Sequence, residues 1–241
     1  ELSLEVAALQ SLYDFRFTAD QLKVLAKLAP ETREDDRPRT RARVSREFEK
    51  ALQELREALT DPEDDDRIGD ALAEYAKIQE KEDPDLDDSV EITETAKDKA
   101  PEILRSLSAR QLASFLVGYG DQFPDPVEDM KATLARVREL PEDQWKVLRR
   151  VIGQSIGDQV AGLDGEKGAQ VGDEAIQILI QARSLDAKAF ERERPALEKK
   201  IQDLVKNVGP LEVIRNTTEI ALATLLSNPR LEAALKARTK E

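Results

Sequence analysis

Apolar residues recur at spacings of three and four along much of this chain, and this period is the strongest constraint on its fold. Two clear stripes are Val44, Phe48, Leu52, Leu55, Leu59 and Leu197, Ile201, Leu204, Val208. Such spacing places apolar side chains on one face of an α-helix. Only 4% of the residues are aromatic, which is too few for sheets packed through aromatic side chains. The sequence therefore predicts an all-α, multi-helix bundle of amphipathic helices joined by loops that contain proline and glycine.

The same pattern predicts helices beyond these two stripes. They are expected at about 3–14, 19–29, 67–80, 94–106, 109–119, 127–138, 142–156, 173–182 and 211–226. Proline and glycine predict breaks at Pro30, Pro38, Asp61-Pro62, Asp83-Pro84, 118–126 and 162–172. Residues 118–126 are the best candidate for a hinge, and they fit a rigid corner equally well. It would divide the chain into an N-terminal half, 1–120, with a basic and then an acidic segment, and a C-terminal half, 121–241, although one continuous domain also fits.

Four glycines lie close together at Gly162, Gly165, Gly168 and Gly172. They do not form a dinucleotide-binding loop, because no strand precedes them and the G-x-G-x-x-G spacing is missing. We interpret them as a flexible connection between two helices.

The chain contains no histidine and no cysteine. A disulfide, a thiolate nucleophile, an imidazole base and a zinc site of nitrogen or sulfur ligands are therefore all excluded. Its many carboxylates lack the glycine, aromatic or strand context of an acid/base pair. We expect a protein that is not an enzyme, with no catalytic residue, no metal site and no cofactor.

No stretch is long and apolar enough to predict a membrane helix. The longest uncharged stretches, 111–120 and 220–229, are ten residues each, against about 20 needed to span a bilayer. The sequence starts at Glu1 and not at methionine, so we expect that an N-terminal segment has been removed. The absence of cysteine is compatible with export in bacteria.

Charge is segregated along the chain. Residues 61–94 contain fifteen Asp and Glu against three Lys and Arg, a balance of −12 within a net charge of −13. A basic segment precedes them, with Arg33, Arg37, Arg39, Arg41, Arg43 and Arg46. Phe48 is the only aromatic nearby, and the negative balance would repel phosphates, so nucleic acid is disfavoured. The basic segment is either a solvated loop or an arginine-lined surface, for acidic partners or for the chain's own acidic segment.

The acidic segment includes one run that invites a calcium hypothesis. Counting from Asp64 puts Gly69 at the sixth position, as in an EF-hand loop. Positions 5 and 12 are then Ile68 and Tyr75, where oxygen ligands are needed. The run is better explained as a turn followed by the negatively charged start of a helix.

One short pattern recurs three times, the third time more loosely. The copies are Phe17-Thr18-Ala19-Asp20-Gln21-Leu22, Leu107-Ser108-Ala109-Arg110-Gln111-Leu112 and Leu140-Pro141-Glu142-Asp143-Gln144-Trp145. In the first two, Thr18 or Ser108 is expected to cap a helix, and Gln21 or Gln111 is expected to reach back to the cap's N–H. The apolar residues on either side form a hydrophobic staple. Glutamine stands at the third helical position each time, although the chain is rich in acids.

These segments resemble the LTxxQ motif of the Spy/CpxP-like bacterial periplasmic proteins. The resemblance implies a helical, often dimeric protein of the cell envelope that senses stress or holds unfolded clients without ATP. It assigns an architectural role to Thr18, Gln21, Ser108 and Gln111. Metal sensing does not follow, because this chain lacks the histidine and cysteine ligands.

Two functions are expected from these observations. The first is a non-enzymatic, chaperone-like or stress-related binding protein of the bacterial cell envelope, periplasmic or otherwise exported. Its partners would be protein clients or further copies of itself, including a homodimer, and not nucleic acid. The alternative is a structural or scaffolding protein that forms a defined assembly. A carboxylate-based enzyme or a calcium protein is a third hypothesis, which predicts tight binding of divalent metal.

Overall fold

A computed structural model of the protein describes residues 1–35, 37–39, 43–82, 86, 89–117 and 125–239. These residues form twelve α-helices and no β-strand, which confirms the all-α prediction. The helices are α1 (Leu2–Asp14), α2 (Ala19–Thr32), α3 (Arg46–Thr60), α4 (Asp65–Glu82), α5 (Glu94–Ser106), α6 (Ala109–Val117), α7 (Pro126–Glu139), α8 (Glu142–Ala161), α9 (Gly165–Ser184), α10 (Ala187–Val205), α11 (Pro210–Ser227) and α12 (Leu231–Thr239).

The helices pack as two compact units. The first consists of residues 1–121 together with 221–241, and the second of residues 122–220. The predicted C-terminal half, 121–241, included residues 221–239, which instead pack with the N-terminal part of the chain. Most of the predicted hinge lies outside the described residues. Asp125, near the end of this segment, is described and caps α7. Its carboxylate accepts hydrogen bonds from the N–H groups of Val127 and Glu128 at 2.9 and 3.2 Å.

In the first unit, α1 contacts α3, α6 and α12. Its core residues Leu4, Leu9 and Leu12 are almost completely buried. The predicted stripe on α3 is also buried, at Phe48, Leu52, Leu55 and Leu59. Val44, the first residue of that stripe, instead precedes the helix, which begins after the capping residue Ser45.

The helix α12 was missed by the sequence analysis. It has only nine residues, and an isolated helix of that length is unstable in water. Burial of Leu231, Ala234 and Leu235 stabilises it. The buried side chain of Asn228 fixes its start, since the amide nitrogen donates to the carbonyl of Leu4 at 2.9 Å and the amide oxygen accepts from the N–H of Arg230 at 2.8 Å.

The predicted break at Pro30 was wrong, because α2 continues through it to Thr32. A proline in the last turn costs that helix only one backbone hydrogen bond. The end of the helix is held instead by the buried Thr32, whose hydroxyl donates to the carbonyl of Leu226 at 2.8 Å.

In the second unit, α8 and α9 pack through glycine. A Cβ atom on Gly157 would lie 2.3 Å from the carbonyl oxygen of Gly168, and one on Gly172 would lie 2.6 Å from that of Gly153. The backbones of the two helices are thus in contact where the G-x-x-x-G segment of α8, Gly153 to Gly157, faces that of α9, Gly168 to Gly172. The turn before α9 includes Gly162, whose φ of 60° favours glycine.

This close crossing corrects the interpretation of the glycines as a flexible connection. Gly165 begins α9, and Gly168 and Gly172 lie inside it. Glycine lowers helix propensity, so the pattern favoured a loop. The structure uses the absence of a side chain for close packing instead.

The core of the second unit joins α7, α8, α9 and α10. Its members include Met130, Leu134, Trp145, Ile156, Leu179, Phe190, Leu197 and Ile201. The partly buried Arg183 joins three of these helices, because its guanidinium donates to the carbonyl of Leu140 at 2.7 Å and to the Glu142 carboxylate at 3.1 Å. It also lies over the Trp145 ring at 5.6 Å.

The crossing predicts opposite effects for two facing glycines. Gly157→Ala forces a Cβ against backbone and should destabilise the second unit by about 2 kcal/mol or more. Gly168→Ala places its Cβ at 3.7 Å from Gly157, an ordinary contact, and should stabilise by about 0.5–1 kcal/mol through helix propensity. Urea denaturation followed by the fluorescence of Trp145, the only tryptophan, measures both. Equal effects of the two substitutions would contradict the close crossing.

Candidate functional site

The two full copies of the recurring motif meet in the first unit. In the first copy, the N–H of Thr18 donates to the Gln21 side-chain oxygen at 2.9 Å, and the N–H of Gln21 donates to the Thr18 hydroxyl at 3.3 Å. The same two bonds join Ser108 and Gln111, at 3.0 and 3.2 Å. Both capping boxes therefore form. Although ninety residues separate them in sequence, the two glutamines are in contact.

The contact is reciprocal. The amide nitrogen of Gln21 donates to the carbonyl of Ser106 at 2.9 Å, and that of Gln111 donates to the carbonyl of Arg16 at 3.2 Å. Each acceptor lies two residues before the other box's capping residue. The Gln111 nitrogen also donates to the Gln21 oxygen, at 2.7 Å. Each glutamine therefore caps the start of its own helix and also binds the turn that precedes the helix of the other glutamine.

This arrangement explains why both residues are glutamine. The side-chain oxygen accepts the cap's N–H, as a glutamate could, but the nitrogen must also donate to a carbonyl of the opposite turn. A carboxylate has no such donor, and it would face the oxygen of the other glutamine. Gln111 is 8% exposed, so a donor or acceptor lost there would not be replaced fully by water.

The turn before α2 is strained at Arg16. Its φ is 50°, the only positive value for a described residue other than glycine. Its carbonyl accepts the bond from Gln111, while its guanidinium stacks 3.9 Å from the Tyr13 ring centroid and pairs with Asp65 at 2.7 Å. The Tyr13 hydroxyl also donates to Asp65, at 2.7 Å. These hydrogen bonds, from Tyr13 and then Arg16, lower the pKa of Asp65.

The third copy of the motif does not form a capping box. Pro141 occupies the N-cap position of α8 and has no side chain that can accept a bond. The carbonyl before it, of Leu140, is bound by Arg183. A cation from α9 therefore organises this helix start.

Asp14 lies two residues before Arg16, beside the turn that precedes α2, and is partly buried. Burial raises the pKa of its carboxyl to about 6, although Arg16 and Arg238 lie close enough to oppose the shift. Burial likewise lowers the pKa of Arg238 to about 10. One nitrogen of that guanidinium is buried with no hydrogen-bond partner. The first unit therefore contains a carboxylate and a guanidinium that are neither fully solvated nor joined by a hydrogen bond.

The predicted basic segment is divided in the structure. Arg33, Arg43 and Arg46 are exposed, and Arg41 lies outside the described residues. Arg37, which is also exposed, and the partly buried Arg39 both donate to the carbonyl of Ser89, at 2.8 Å. Ser89 belongs to the acidic segment, so these two arginines bind within the chain.

These two arginines pair with a buried carboxylate. Glu34 is 5% exposed, and it forms an ion pair with Arg39 and lies 3.8 Å from Arg37. Its other oxygen accepts the N–H of Glu91 at 2.6 Å. A buried carboxylate needs such partners to remain charged. The arginines at 37 and 39 therefore neutralise Glu34 and connect the basic segment to the acidic one.

The acidic run forms a turn and a helix start. Asp64 accepts the N–H of Arg67 at 3.0 Å, and Asp65 and Asp66 lie in the first turn of α4. Among the described residues, no group of three or more carboxylates could hold a metal ion. Within the same part of the chain, no helix is long and apolar enough to cross a membrane.

A surface that the sequence analysis missed lies on α8. Val147, Leu148 and Val151 are 67%, 39% and 59% exposed, and their spacing places them on one side of the helix. We call these three residues the α8 face. Among the residues that the structure describes, the other large exposed apolar ones lie on four different helices: Val24, Val117, Ile180 and Leu211.

The pattern of α8 could not reveal this face because apolar residues occur around most of the helix. Trp145, Ile156 and Val160 are buried on the opposite side, and periodicity does not say which set faces the core. Gly153 and Gly157 could have indicated the buried side of α8, because their contact with α9 determines which side is covered.

Comparison with known proteins adds no relative: no family model matches the chain, and no match was found among curated proteins or solved structures.

The reciprocal glutamines predict that glutamate is a poor substitute. Gln111→Glu and Gln21→Glu should each destabilise the first unit by about 1–3 kcal/mol, because each loses a donor and places a charge beside an amide oxygen. Chemical denaturation followed by circular dichroism measures this loss. A double-mutant cycle should give a coupling energy of about 0.5 kcal/mol or more.

The control for these glutamate substitutions is Gln202→Glu on α10, where the side chain is exposed. It adds the same charge without removing a tertiary hydrogen bond. If Gln111→Glu were no more destabilising than this control, the reciprocal contact would not contribute to stability.

The raised pKa of Asp14 predicts that Asp14→Asn increases the free energy of unfolding by an amount that depends on pH. The folded pKa of about 6 lies above the unfolded value of about 4. The stability linked to protonation is therefore complete below about pH 4 and lost as the pH rises through about 6. The free energy of unfolding of Asp14→Asn should exceed that of wild type by about 1 kcal/mol at about pH 7.5, after allowance for solvent screening. The two values should match near pH 4.

Thermal or urea denaturation at both pH values tests this dependence. Asp98→Asn, at an exposed carboxylate of α5, serves as the control. A gain from Asp14→Asn that is the same at both pH values would show that burial of the charge is not its cause.

Proposed function

We propose that this chain is a non-enzymatic helical protein that holds other polypeptides on the α8 face. The observation that carries the proposal is the exposure of Val147, Leu148 and Val151 side by side. Single exposed apolar residues are common on proteins. Clustered ones mark surfaces that bind, because contact with a partner removes them from water.

The packing of α8 supports this role. The side of the helix opposite the α8 face is fixed by backbone contact with α9 at Gly157 and Gly168. A rigidly held helix loses little conformational entropy when a partner binds. Three aliphatic side chains provide modest apolar area, which suits weak and reversible binding of client chains.

A place in the bacterial cell envelope, as a distant relative of the Spy/CpxP-like proteins, is part of the same proposal. Its support is the pair of capping boxes at Thr18 and Ser108, with their glutamines in contact. The resemblance to the LTxxQ motif rests on these residues. A periplasmic or otherwise exported location and a stress-related role follow from that resemblance.

Suppression of client aggregation tests the proposed function. A client protein diluted from denaturant should scatter less light when wild type is present in several-fold molar excess at low salt. Replacing both Val147 and Val151 by serine removes most of the exposed apolar surface, which corresponds to about 2 kcal/mol of binding. The concentration needed for suppression should therefore rise by at least about tenfold.

The control is the double substitution Val24→Ser and Leu211→Ser, which changes two exposed apolar residues on other helices. It should suppress aggregation as wild type does. No suppression by wild type would contradict the proposal. A defined large oligomer in sedimentation, lost in the Val147→Ser, Val151→Ser variant, would instead favour the scaffolding function.

A further inference from the structure

The α8 face has a basic edge. Lys146 and Arg150 directly precede Val147 and Val151, and both are exposed. Their spacing of four residues places them one helical turn apart, along one side of the valines. Neither forms an ion pair with a described residue. An apolar stripe and a row of solvated cations therefore lie next to each other.

This part of the chain differs in charge from the rest. Residues 144–157 contain Lys146, Arg149 and Arg150 and no aspartate or glutamate, whereas the whole chain has a net charge of −13. Most of that negative charge belongs to residues 61–94. Glu142 and Asp143 precede this stretch in the first turn of α8, and Asp158 follows it, so the positive charge is local to Lys146, Arg149 and Arg150, within the short distance over which surface charges act in salt.

We propose that the α8 face selects acidic amphipathic helices, a partner class that rests on the proposed function of this surface. The partner segment carries aliphatic residues three and four apart, which cover Val147 and Val151. It carries aspartate or glutamate one turn apart along one edge, which pair with Lys146 and Arg150. Apolar contact supplies affinity, and charge sets the choice of partner.

A second copy of the same face is a poorer occupant. Residues 144–157 contain no carboxylate, so where the valines of two α8 faces meet, only Glu142 and Asp143 at the helix start and Asp158 near its end offer counter-charges to the four edge cations. Like charges in contact disfavour such a pairing. The charge pattern therefore favours a different, acidic chain.

An anionic membrane also fits less well than an acidic helix. Helices that lie on membranes present a broad apolar side with aromatic residues. The only aromatic residue of α8, Trp145, is 3% exposed, and polar Gln144, Gln154 and Ser155 are exposed on the same helix. The apolar stripe is narrow and matches the width of one helix.

The test compares two synthetic peptides of about 18 residues, or five helical turns. One has leucine at helical spacing with glutamate along one edge, and the other has lysine at every glutamate position. Fluorescence anisotropy measures the binding of each labelled peptide. Wild type should bind the glutamate peptide at least about tenfold more tightly at low salt, and the preference should shrink as salt rises.

Charge reversal gives the sharper result. The variant Lys146→Glu, Arg150→Glu should invert the preference and bind the lysine peptide more tightly. The control is Arg136→Glu, Lys199→Glu, which reverses two exposed cations of α7 and α10 in the same unit. It changes the net charge equally and should keep the preference for the glutamate peptide. Circular dichroism and Trp145 fluorescence check that each variant is folded.

Three outcomes would overturn the inference. If Val147→Ser, Val151→Ser weakens both peptides equally while charge reversal changes nothing, the α8 face binds protein without charge selection, and only the proposed function stands. If the protein binds phosphatidylglycerol vesicles through Lys146 and Arg150 but neither peptide, the partner is a membrane. If neither peptide binds and the serine variant dissociates a dimer, the occupant is a second copy.

Discussion

The polar groups at helix ends are the constraint on which the rest of this structure depends. Each helix leaves about four N–H and four C=O groups without a partner inside the helix, and a chain of many short helices multiplies them. In the first unit, Gln21 and Gln111 satisfy groups at two helix starts and in the turns before them. In the second, Arg183 satisfies carbonyls at the end of α7. Helix packing is therefore directed by the residues that cap it.

The two kinds of contact differ in what a sequence can reveal about them. A capping box joins residues three apart, so Thr18 with Gln21 and Ser108 with Gln111 could be predicted from spacing. That the two glutamines bind each other depends on how α1, α2, α5 and α6 pack, which local spacing does not determine. The choice of glutamine in an acid-rich chain was the one trace of that contact, since an amide can accept from a cap and donate to another turn, whereas a carboxylate can only accept.

The same reasoning separates the predictions that held from those that did not. The stripe on α3 could be predicted because its apolar residues occupy one face and the other positions are polar or charged. The predicted helix 173–182 was shorter than α9 because Gly168 and Gly172 lower helix propensity. In the structure these glycines allow close contact with α8. For Arg37 and Arg39 the sequence left open a solvated loop, an acidic partner and the chain's own acidic segment, because the buried Glu34 that they pair with looks like any exposed acid in the sequence.

The surface of α8 follows from its interior contacts. Gly153 and Gly157 lie on the side that meets α9, and the valines at 147 and 151 project from a different side. A side chain at Gly157 would push the helices apart, so the absence of one fixes which residues remain in water. Replacing those valines by polar residues would leave the crossing intact, because the glycines hold it. Their exposure is therefore not required by the fold, and the partner binding that we propose would give it a physical reason.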